Sequence, residues 1–66
     1  MELLVFKDGE KYLRFTKSSF EYSDINKASV FPISDIKKVK KKFDKLQSEL
    51  KELSVKKLII TELDYL

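Results

Sequence analysis

Ile36, Val39, Phe43, Leu46, Leu50 and Leu53 recur at alternating intervals of three and four, with polar or charged residues filling most of the gaps. At 3.6 residues per turn, that spacing gathers all six side chains onto one stripe of a helix. The pattern predicts a helix over residues 35–53, about 28 Å long at 1.5 Å per residue. Ser34 is placed to cap its first free amides, and Asp35 lies where a negative charge favours the helix dipole.

Elsewhere the period is shorter. Residues 2–7 and 11–16 read as strands joined at Asp8-Gly9, a strong hairpin signal. In the second strand, alternation sets Leu13 and Phe15 on one face and Tyr12, Arg14 and Thr16 on the other. Lys17-Ser18-Ser19 makes the next turn, and residues 20–23 form a third strand. Ser23-Asp24 then caps a single helical turn over residues 25–28. Pro32 forces Phe31 out of helical geometry, which predicts a short strand at residues 29–31. Ser54-Val55-Lys56 serves as a return after the helix, and residues 57–63 form the last strand.

This order predicts a single α+β domain over residues 1–66. Its expected architecture is a small, mostly antiparallel sheet of four to five strands, with one long amphipathic helix packed on one face. The strands at 29–31 and 57–63 flank the helix and are expected to run parallel through a right-handed crossover. A coiled coil of two copies of the helix is the rival, but three heptads are near its lower limit and the flanking charges pair poorly.

Two segments are apolar on both faces: Leu3, Leu4, Val5 and Phe6, and Leu58, Ile59 and Ile60. One helix covers one face, so the other needs a partner. A chain of 66 residues with no Cys and no His also lacks the disulfide or zinc staple that small domains often use. Self-association follows as the expectation, most simply a twofold homodimer, with Leu4, Phe6 and Ile59 in or near the interface.

Composition narrows the function classes. Without His or Cys there is no imidazole base or thiol nucleophile, and catalysis, metal and cofactor are not expected. A single glycine leaves no room for a phosphate-binding loop. Asp8 and Glu10 flank that glycine, where acids ordinarily serve the turn; two carboxylates in a tight loop can also hold Mg²⁺. The longest apolar run, residues 3–6, is far short of the ~20 residues that span a bilayer. No leader pattern is present either, so a soluble, cytoplasmic protein without membrane partners is expected.

Charge adds one candidate site. The net charge is +3, but residues 36–45 hold six lysines and one acid, giving +5 and leaving −2 elsewhere. Lys37, Lys41 and Lys45 follow at intervals of four, with Lys38 and Lys42 in the adjacent row. Such a stripe can track nucleic-acid phosphates; its plainer reading is a solvated helix face. Arg14 is the only arginine beside thirteen lysines, which argues against bidentate reading of bases. Phe15 and Phe20 are expected in the core, Tyr12 and Tyr22 exposed or at an interface. The strand at residues 10–15 lacks the glycines of an RNA-binding strand motif.

Tyr12-Leu13, Phe20-Glu21-Tyr22, Ser23-Asp24, then Ala28 and Phe31 ahead of a helix form a pattern over residues 11–43. It resembles one found in small phage and prophage proteins of unknown role. The resemblance covers about half the chain, includes no catalytic positions, and implies a β-β-(turn)-β-α-β order. It also implies action by binding a host protein, a nucleic acid or a small signalling ligand. The leading expectation is thus a non-enzymatic, homo-oligomeric, phage-type interaction protein that binds a host protein or ligand. A nucleic-acid-binding protein using Lys37, Lys38, Lys41, Lys42 and Lys45 is the alternative.

Overall fold

A computed structural model describes residues 1–65. Its elements are β1 (Glu2–Asp8), β2 (Lys11–Phe15), β3 (Phe20–Ser23), β4 (Val30–Pro32), α1 (Ile36–Leu46) and β5 (Leu53–Ile59), with a 3-10 turn at Ile33–Asp35 leading into α1. All strand pairings are antiparallel, as expected for most of the sheet.

β1 organises the sheet. β5 occupies one of its edges completely, from Glu2↔Ile59 to Asp8↔Leu53. The other edge is divided: β4 pairs with Leu3, Leu4 and Val5, whereas β2 pairs with Lys7 and Asp8. β2 and β3 continue as a hairpin that leaves β1 at this fork. Ser29 closes the gap: its N–H donates to Leu13 O (3.1 Å), and its hydroxyl oxygen accepts from Phe15 N–H (2.8 Å). A side chain here completes a ladder that the diverging strands cannot.

β4 and β5 are each antiparallel to β1 and lie on its opposite edges. They therefore run in the same direction, but β1 separates them and they form no parallel pair.

The first hairpin turns one residue later than expected. Asp8 stays in the ladder opposite Lys11, leaving Gly9 and Glu10 as the central residues. Gly9 has φ +62°, and no other described residue has positive φ, which is the pattern of a type II′ turn. A Cβ on Gly9 would also fall 2.8 Å from a Glu52 carboxylate oxygen. At residues 24–27, one Asp24 carboxylate oxygen accepts from the N–H groups of Asn26 (3.0 Å) and Lys27 (3.2 Å), the role expected of a capping acid, but the segment is a hydrogen-bonded turn and not a helix.

The long helix over residues 35–53 is corrected. α1 has 11 residues, or 14 with the 3-10 turn, and neither Ser34 nor Asp35 caps it through a side chain. It stops after Leu46 without glycine or proline. Gln47 N–H still reaches Phe43 O, but Glu49 N–H tightens onto Leu46 O, and the Ser48 hydroxyl donates to Lys45 O at 3.4 Å. The deeper cause is β5. Pairing with all of β1 requires Leu53 opposite Asp8, so a helix running to Leu53 would break the sheet's longest ladder. The last strand accordingly moves from 57–63 to Leu53–Ile59, and residues 61–65 are exposed and outside regular structure.

The apolar stripe nevertheless keeps its destination from Val39 onward; Ile36, at 40% exposure, is left outside the core. Val39, at 1% exposure, joins Leu4, Phe6 and Leu13 in the core, with Phe43, Leu46, Leu50 and Leu53 packed around them. Three backbone states thus share one buried face. A core inside the chain also displaces the coiled coil, since Val39 has no surface left to offer a twin helix. Phe6, Phe15 and Phe31 meet edge to face at centroid distances of 5.1–6.0 Å, a favoured aromatic geometry.

Candidate functional site

Two surfaces stand out, one basic and one apolar. The basic one is a cleft of about 470 Å³ between the β2–β3 turn and the end of α1. Phe15 and Phe20, paired across the two strands, supply its aromatic wall. Thr16, Ser18 and Ser19 supply hydroxyls, in a turn held by Thr16 N–H on Ser19 O (2.8 Å) and Ser19 N–H on Thr16 Oγ1 (3.1 Å). Lys17, Lys42 and Lys45 supply cations, with Glu49 the one acid. Lys42 is half-buried and sets its ammonium 4.6 Å from the Phe15 ring centroid. The ammonium thereby sits over the face of the ring at the edge of the cleft.

The five lysines singled out in the sequence thus divide. Lys42 and Lys45 flank the cleft, whereas Lys37, Lys38 and Lys41 are exposed outside it. The two ion pairs among the described residues, Arg14–Glu21 (3.9 Å) and Lys57–Glu2 (3.3 Å), involve no lysine of α1. Lys17 and Phe20 had no place in the sequence-derived site. Lys17 was legible only as a turn residue, and nothing in its spacing places it against a helix some 25 residues on.

The apolar surface lies on the sheet face opposite the core. Register places Leu3, Val5, Val30, Pro32 and Leu58 together there, since directly paired residues share a face. Ile60 continues it opposite Met1, to whose carbonyl its N–H donates at 2.8 Å. Val5 is fully covered within this layer, but Val30 is 48% and Ile60 52% exposed. Of the residues expected at an oligomer interface, Leu4 and Phe6 are corrected: they belong to the opposite, core face and are buried within the chain. Ile59 is exposed, at the end of β5.

Asp8, a candidate Mg²⁺ ligand with Glu10, accepts a 2.6 Å hydrogen bond from the Tyr22 hydroxyl. That bond, with desolvation and the Asp8 charge behind it, raises the Tyr22 pKa above the ordinary phenol value. Among the described residues no cluster of acids suited to a metal ion forms, and no helix is long and apolar enough to cross a membrane.

Comparison with known proteins brings no relative to bear: no family model, curated protein or solved structure matches the chain.

Proposed function

We propose that this is a small interaction protein that works by binding and not by catalysis, and that it self-associates through the open face of its sheet. The observation that carries the reading is the cluster of Leu3, Val30, Pro32, Leu58 and Ile60 on the face away from α1. Apolar side chains in the middle of a sheet gain about 25 cal/mol for each Å² removed from water. With only five buried hydrophobic residues among those described, the domain has much to gain from that cover. A twofold arrangement sets the patch against itself, the simplest closed assembly for a single chain. The absence of His and Cys supports binding over covalent or acid–base chemistry.

Light scattering coupled to gel filtration tests this directly. The expected mass is twice 7.8 kDa at high micromolar concentration. Val30→Lys together with Leu58→Lys should return the mass to that of one chain. A wild-type monomer under the same conditions overturns self-association, and an unchanged dimer in the double variant moves the interface elsewhere.

A further inference from the structure

We infer that the basic cleft is a binding site for single-stranded nucleic acid, holding one base against Phe20 and the flanking phosphates on Lys17, Lys42 and Lys45. The inference is independent of self-association, because the cleft lies on the side of the sheet that α1 covers, away from the open apolar face.

Three features of the cleft point to this ligand. Its three lysines against one glutamate leave a net charge of +2, drawn from two elements that converge on the same space. Its wall is aromatic, and a planar base is the anionic polymer's only group that gains from an aromatic surface. Its volume, about 470 Å³, suits one nucleotide unit and not the width of a duplex. A duplex also hides the faces of its bases, whereas a single strand can turn one outward. The hydroxyls of Thr16, Ser18 and Ser19 add donors at the rim. Lysines act as point charges without the fork that reads base edges, so little sequence preference is expected.

Anisotropy of a labelled short oligothymidine at low ionic strength tests the inference. Binding is expected to weaken with salt at a log–log slope of about −2, the value for three neutralised phosphates on a single strand. Lys17→Gln with Lys42→Gln should weaken binding and flatten that slope, whereas Lys37→Gln with Lys41→Gln, outside the cleft, should change neither. Phe20→Leu preserves apolar volume but removes the ring. It should lower affinity for oligothymidine by about five- to a hundredfold, the range for one lost base–aromatic stack, while leaving an abasic strand of equal length unaffected. Thermal unfolding of each variant confirms an intact fold. No binding at low salt overturns the site. So does equal sensitivity to the two lysine pairs, equal affinity for a duplex, or equal affinity for the abasic strand.

Discussion

The two faces of β1 carry the same chemistry and differ in what covers them. Leu4 and Phe6 face α1 and the hairpin aromatics and are buried with Leu13 and Val39. Leu3 and Val5 face the other way, flanked across the ladders by Val30, Pro32, Leu58 and Lys56 and roofed by no helix. The difference teaches that hydrophobicity along a strand reports demand for cover and not its supply. α1 is a single short helix with one buried face, so it covers one side; on the other, Val5 is covered only by its own layer and Val30, Pro32 and Ile60 stay exposed.

Removing a side chain from each face separates their roles. Phe6→Ala should cost about 3–5 kcal/mol, the usual penalty for emptying a fully buried aromatic site, and much of the chain should unfold at 25 °C by circular dichroism. A loss below about 1 kcal/mol would mean that the covered face is not the core. Ser29→Ala acts at the fork where the two β1 neighbours part. It strands the Phe15 N–H, at an expected cost of about 1–3 kcal/mol, read as a lower urea midpoint with an unchanged m-value. On the open face, Val30→Lys should shift stability by no more than about 0.5 kcal/mol in solutions dilute enough to hold single chains. A large loss there would show that the open face is cohesive within one chain.

The smallest effect is confined to alkaline pH. Tyr22 has a raised pKa in the fold because its hydroxyl donates to Asp8. Its contribution is therefore complete below the ordinary phenol range and is lost as pH rises through the folded value. Tyr22→Phe should match wild type in alkaline unfolding only after that contribution has gone, and its stability should fall less steeply above about pH 10. Parallel alkaline limbs for the two proteins would show that the hydrogen bond has no energetic role.

The candidate sites were legible in unequal degree. Lys42 and Lys45 stood out because a run of lysines within one helix needs no tertiary information. Their partners in the cleft did not: Lys17 and Phe20 belong to another element, and only packing of α1 beside the β2–β3 turn brings them together. The open apolar face was anticipated from strands hydrophobic on both sides. Which residues line it depended on register, and that moved the expected surface from Leu4 and Phe6 to their neighbours of opposite parity.

Local chemistry in the chain determined the elements whose cause is local. Alternation set the faces of β2, Gly9 compelled a turn with positive φ, Asp24 held its own loop, and the stripe from Val39 to Leu53 specified one core-facing surface. Only the tertiary structure decided where α1 ends and β5 begins. Leu50 and Leu53 satisfy a helical period, but β5 pairs with β1 from Leu53 opposite Asp8 onward, and a helix through Leu53 would forgo the start of that ladder. Burial of the stripe was indifferent to that choice, because Leu53 reaches the same core from a strand. A periodic pattern records which side chains seek the interior; the competition between ladders records which backbone carries them there.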